Sequence, residues 1–419
     1  MHRSIFLILS LFIAKGVLAS DPTATSYSFD ECLGSHRPYP SPTESIETPD
    51  SLTPVFINHV GRHGARYPST PKATMTLASV LQRADSIGTI TAAGRKLKAL
   101  TEEVLERSHN YWGALDSLGK AEERGIASRM FLEFPELFIG GNVAAYSSYS
   151  PRCLMSMYEF THQLDRLNNN VDITTSAGRV NSRMLRPFDN DASFSEYIRS
   201  QIWKTPYEDY AVTQITDVPL KRVLGNGFPL SQSDVVDLAM SEYDFISGLP
   251  AMGIDVDIAT YFTNEEFNAL WSCYNLRQYL QRSANTLSTA PADIASPLLL
   301  DIIRTTESAV SGQSAHDVIL RFAHAETLLP LYAMLRLRGG YYLTNYYDTV
   351  ATHFRNFNIV PMAANIRFVL FRTDSGKYYL RADLNERPLP LLPNDDRIYL
   401  PWSEARNYMI RCLPLIDQP

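Results

Sequence analysis

The chain has 419 residues, 45% of them apolar and 20% charged, with a formal net charge of −7. That composition excludes disordered and collagen-like architectures and is long enough for one large domain or two. The acidic balance argues against general nucleic-acid binding, so any polyanionic ligand must be held by a local cluster of Arg and Lys.

Residues 1–19 combine a short basic start (His2, Arg3), an apolar run from Ile5 to Ala14 and small residues at Val17 and Ala19. This is the pattern of a secretory signal peptide cleaved after Ala19, and the apolar run is too short to span a bilayer. The expectation is a secreted or periplasmic protein with no membrane anchor. Residues 20–53 read as an N-terminal arm. Pro54 to Val60 is the first strand, ending at Gly61, so Arg62-His63-Gly64-Ala65-Arg66-Tyr67-Pro68 lies at the C-terminal edge of a strand. Ligands of open α/β sheets bind there.

Helical spacing follows over 73–87 and 94–107, and again from Lys120. A second strand spans 143–147, a helix opened by Ser150-Pro151-Arg152 runs to Leu167, and a third strand covers 171–175. From 179 to 300 helices dominate, one of them marked by a capping box at Thr263 and Glu266. Strand character returns over 318–323, immediately before His324, with a helix from Thr327 to Leu337. Segments 366–372 and 377–382 form a hairpin around Asp374-Ser375-Gly376. The expected architecture is an α/β core over 54–178 and 301–419, interrupted by a mainly helical insertion over 179–300, with substrate between the two. Cys32, Cys153, Cys273 and Cys412 include no CxxC pair; their pairing stays open, and Cys153 is as readily a buried thiol. His59 reads as a hydrogen-bonded core histidine.

Arg62 and Arg66 bring two planar cationic forks to the same point as the imidazole of His63. Guanidinium groups match phosphate oxygens bidentately, and Gly64 would let backbone approach the anion. The same cations depress the imidazole pKa, keeping His63 neutral and nucleophilic. Without partners elsewhere, the minority reading of this segment is a solvated loop. His324 and Glu326 supply partners, because an extended strand tip points both side chains the same way. A carboxyl beside a phosphate dianion has its pKa raised, so Glu326 would donate a proton to the leaving alcohol; the alternative is a carboxylate pairing with its helix N-terminus. Arg152 is a third cation. Lys72, Arg183 and Arg186 are weaker candidates for binding substrate phosphates that are not being cleaved. His316 with His324 and Glu326 lacks the spacing of a metal site.

Arg-His-Gly-x-Arg-x-Pro at 62–68, Ser150-Pro151-Arg152-Cys153 and a distal strand ending in His324 resemble the histidine acid phosphatases. The stretch His324-Ala325-Glu326-Thr327 is similar to the multiple inositol polyphosphate phosphatase branch: most of the wider family carries Asp directly after this His, where Ala325 stands here, and the acid follows as Glu326. The resemblance runs from about Pro54 to about Pro393 and includes Gly125, Val360-Pro361 and Leu384-Asn385-Glu386-Arg387-Pro388-Leu389. It implies a phosphoglycerate mutase-like α/β core with a mostly parallel sheet flanked by helices, plus an inserted helical domain. It further implies a phosphohistidine on His63, phosphate held by Arg62, Arg66, Arg152 and His324, Glu326 as proton donor, and no metal or other cofactor. The substrates it implies are inositol hexakisphosphate and lower inositol polyphosphates. Sugar phosphates or nucleotides are the alternative, and a silent phospho-ligand binder the remoter one.

Overall fold

The computed structural model describes residues 26–43 and 47–418, so the leader read in residues 1–19 lies outside it. Eight strands form one sheet: β1 (Thr53–Arg62), β2 (Asn142–Ser147), β3 (Asp172–Ala177), β4 (Val318–Ala323), β5 (Asn365–Arg372), β6 (Tyr378–Leu384), β7 (Arg387–Leu389) and β8 (Leu400–Pro401). Their order is β3-β2-β4-β1-β5-β6-β7, with β8 beside β6. From β3 to β1 the neighbours are parallel; from β1 through β5 to β7 and β8 they are antiparallel. The sheet is therefore mixed, not mostly parallel. The β5–β6 hairpin turns within a few residues at Asp374-Ser375-Gly376, where Gly376 has a φ of 81°, and so short a connection can only return antiparallel.

β4 is buried along its whole length and β1 from Phe56 onward, as helices cover both faces. Between these two central strands Arg62 pairs with Ala323, so the chain leaves both at the same edge, at His63 and His324. Helices α1 (Lys72–Ser86), α2 (Ala92–Arg107), α3 (Ser117–Glu133) and α4 (Pro151–Leu167) follow the first two strands. Two apolar clusters, containing Phe322 and Leu328 respectively, pack on the sheet. A third unites Leu77 of α1 and Leu97 of α2 with Met240, Phe267 and Trp271, and takes Tyr27 and Cys32 from the arm. The arm is thus part of a core: its Glu31–His36 turn buries Cys32, Leu33, Gly34 and Ser35. All four cysteines are free thiols, and Cys153 is fully buried.

His59 is a core residue, packed against Phe160 and Phe322, but neither ring nitrogen has a hydrogen-bond partner among the described residues. Burial, helped by the charges of Arg367 and Arg321, pushes its pKa down to about 3. His36, half-buried, is also held at about 3 by desolvation and then by the charges of Arg66 and Arg62. Both values lie below the ordinary 6.5, so the unfolded chain takes up protons that the folded one refuses. The resulting stability is complete above pH ~6.5 and drains away as the pH falls towards 3. Melting temperatures recorded between pH 7 and 4 should fall steadily, and His59→Phe should flatten that slope. A flat profile for the unaltered protein would refute the assignment.

Candidate active site

The loop that leaves β1 is anchored from several sides. The His63 N–H donates to the Ala323 carbonyl at 3.2 Å, and its Nδ1 lies 2.9 Å from the Gly64 carbonyl. A carbonyl can only accept, so Nδ1 carries the proton and Nε2 keeps the lone pair. Burial, followed by the charges of Arg152, Arg62 and Arg66, holds the ring well below its ordinary pKa. The sequence pattern predicts this neutral imidazole, with desolvation added as the leading cause.

Gly64 serves a different purpose from the one its sequence position suggests. A Cβ there would meet the Gly119 carbonyl oxygen at 2.5 Å, and one on Gly119 would meet the Ala65 carbonyl oxygen at 2.1 Å. The two glycines let the loop lie directly on the first turn of α3, which Asp116 caps by accepting from the Leu118 and Gly119 amides. From the next turn, Glu122 takes the Ala65 amide on one oxygen and the Tyr39 amide on the other, both at 2.7 Å. The loop after β1 and the arm are thereby fastened to the same carboxylate.

Arg62 is buried, and its Nη1 donates to the carbonyls of Ser35, Val360 and Pro361 at 2.6, 2.7 and 3.0 Å. The Nε atoms of Arg62, Arg66 and Arg152 are buried without partners among the described residues. His324 faces His63 with ring centroids 5.7 Å apart. Its Nε2 lies 3.0 Å from Arg186 and 3.1 Å from Ser148, and its Nδ1 3.3 Å from Arg152. Burial together with these guanidinium charges outweighs the carboxylate of Glu326 and pushes His324 down to about 3. Guanidinium N–H groups only donate and a neutral imidazole accepts at one nitrogen, so an anion placed here would complete an unfinished donor set. Cys153 touches the same ring, with its Sγ 3.4 Å from Nε2.

Arg62, His63, Arg66, Arg152 and Glu326 share one cavity of about 580 Å³, within the roughly 300–1,000 Å³ of small-molecule sites. Of the weaker candidates, Arg186 touches His324, whereas Lys72 and Arg183 are exposed and do not line the cavity. Lys72 opens α1 just beyond Thr70, which does line it, and its side chain points to solvent. For Glu326 the expected rise belongs to a carboxyl with phosphate beside it; the protein's own cations act the other way. Burial raises it, but Arg282, His324, its own backbone amide and Arg62 lower it further, to about 2. With that set of neighbours the group is a carboxylate.

Arg282 is the principal residue the sequence reading missed. It lies on the helix Asn264–Arg282, whose Tyr274, Arg277, Gln278, Gln281 and Arg282 all line the cavity. Their spacing traces one helical face, so Arg and Gln recurring at that spacing were the available signal. Ser35 and His36 of the arm and Asp244 of the helix Val235–Gly248 complete that wall, and no local pattern marks them.

A sequence profile described as the histidine phosphatase superfamily (branch 2) matches residues 55–385. The chain belongs to that superfamily. Among curated relatives of this histidine phosphatase, multiple inositol polyphosphate phosphatase 1 of Homo sapiens is 27% identical over 398 residues, covering 85% of this chain and 79% of that protein. The Gallus gallus protein of the same name is 26% identical over 389 residues, covering 86% and 82%. The fold is shared with the Bifidobacterium longum multiple inositol polyphosphate phosphatase in complex with inositol hexasulfate, at a TM-score of 0.68 and 18% identity over 92% of this chain and 99% of that one. The phytase from D. castellii superposes at a TM-score of 0.73 and 18% identity, covering 97% and 90%.

Proposed function

We propose that the protein is a phosphomonoester hydrolase that removes phosphates stepwise from inositol hexakisphosphate and lower inositol polyphosphates. The reading is carried by His63, whose Nδ1 is tied to Gly64 while Nε2 stays unprotonated among Arg62, Arg66 and Arg152. Nε2 attacks phosphorus as the ester P–O bond breaks, and the departing alkoxide takes a proton from Glu326. Water then attacks the phosphohistidine, giving its proton to Glu326 and releasing inorganic phosphate. Arg62, Arg66, Arg152 and His324 hold the transferring group throughout, where donors fixed in a buried site stabilise the charge that develops.

The choice of substrate is supported by the names of the curated relatives and by the cations left over for phosphates that are not reacting, Arg282 in the cavity wall and Arg186 beside His324. The leader read in residues 1–19 would deliver the enzyme outside the cytosol. Among the described residues no helix is long and apolar enough to cross a membrane. The expected kcat/KM for inositol hexakisphosphate exceeds that for glucose 1-phosphate by at least about tenfold, the yield of one additional charge-assisted contact. Chromatography of a limited digest should show successive lower inositol phosphates. Equal values for the two substrates would instead make this a phosphatase of broad specificity.

A further inference from the structure

The helical wall of the cavity carries an acid that phosphate binding does not explain. Asp244 and Arg277 both line the cavity, and their charged atoms face each other at 3.9 Å, each side chain 32% exposed. That separation is too long for a hydrogen bond. The Arg277 guanidinium lies over the Tyr274 ring, 5.5 Å from its centroid, which restrains it from swinging towards the carboxylate. The other oxygen of Asp244 is buried with no hydrogen-bond partner among the described residues. Carboxylate and guanidinium are thus held apart in the wall of a site whose other charged residues, Glu326 apart, are arginines.

A phosphate dianion would be welcome at Arg277 and repelled at Asp244, because it has no proton to offer the carboxylate. A hydroxyl suits both, donating to the carboxylate and accepting from the guanidinium. An oxygen at about 2.7–2.9 Å from each charged atom closes the 3.9 Å gap with an angle of roughly 90°, which a hydroxyl tolerates. We propose that Asp244 and Arg277 form a hydroxyl-recognition subsite that favours inositol phosphates already lacking a phosphate over the fully phosphorylated ring. This rests on the inositol phosphate reading above and deepens it: the enzyme takes up its own products better than the first substrate.

Steady-state kcat/KM should be compared for inositol hexakisphosphate, for the separate inositol pentakisphosphate isomers and for a simple aryl phosphate. The unaltered enzyme is expected to prefer at least one pentakisphosphate to the hexakisphosphate. Asp244→Asn and Asp244→Ala should each cut that preference about tenfold, the effect of losing a hydrogen bond to a charged group. Turnover of the aryl phosphate, which has neither ring hydroxyls nor further phosphates, should be unchanged and so reports correct folding. Arg277→Gln provides the same test from the other side of the pair. If the preference survives in every variant that still turns over the aryl phosphate, the subsite is refuted. If the unaltered enzyme cleaves the aryl phosphate but no inositol phosphate, the underlying functional reading fails, and the two results are distinct.

Discussion

Replacing His63 with alanine is expected to lower kcat by at least about 10⁴-fold on inositol hexakisphosphate and aryl phosphate alike, the scale seen when a covalent nucleophile is removed. Both substrates should suffer equally, because His63 forms the bond to phosphorus whatever the leaving group. The Nδ1 contact to Gly64 is one hydrogen bond, worth about 1 kcal/mol net, so the fold should survive its loss. Arg62 is held independently by three carbonyls, and inorganic phosphate should therefore still bind. Rapid alkaline quenching of the unaltered enzyme should trap labelled phosphohistidine, and the variant should trap none. Retention of even a few per cent of turnover in a folded variant would exclude His63 as nucleophile.

The parts of this site that were legible in the sequence are those that local pattern controls. β1 and β4 announce themselves as apolar runs because both faces are covered, and the residues following them, His63 and His324, inherit a common edge from the parallel pairing of Arg62 with Ala323. What the sequence hides depends on approaches between distant segments. Gly64 reads as a ligand-binding glycine until Gly119 is found against it, 55 positions away in the chain. Arg186 and Lys72 look alike as lone cations, yet one reaches His324 and the other faces solvent, a difference set by the turn after β3 and not by composition. The antiparallel half of the sheet was half visible: its hairpin has a turn signature, whereas the two-residue strand β8 has none. The lowering of the Glu326 pKa by Arg282 was hidden for the same reason, since Arg282 comes from a helix whose approach no spacing rule supplies.

That sign makes Glu326→Gln the more discriminating substitution. At about 2 among the protein's own charges alone, the carboxyl is ionised at any working pH and cannot act as an acid. Its charge is held by Arg282 and Arg62, and an incoming polyphosphate competes for these same cations. Once their charge is offset, burial is left as the dominant influence and raises the pKa, so the proton should be taken up as substrate binds. Calorimetric titration with a substrate analogue in two buffers of different ionisation enthalpy should register that uptake, and Glu326→Gln should abolish it. On inositol phosphates, whose alkoxide leaving groups need a proton, the variant should lose about 10²–10⁴-fold in kcat. An aryl phosphate releases its phenolate unaided, so the first step should proceed at nearly the original rate. Water attack then lacks its base, and the variant should show a burst of phenolate followed by slow turnover, with phosphohistidine accumulating. Equal losses on both substrates without a burst would remove Glu326 from proton transfer and leave it as a countercharge to Arg282.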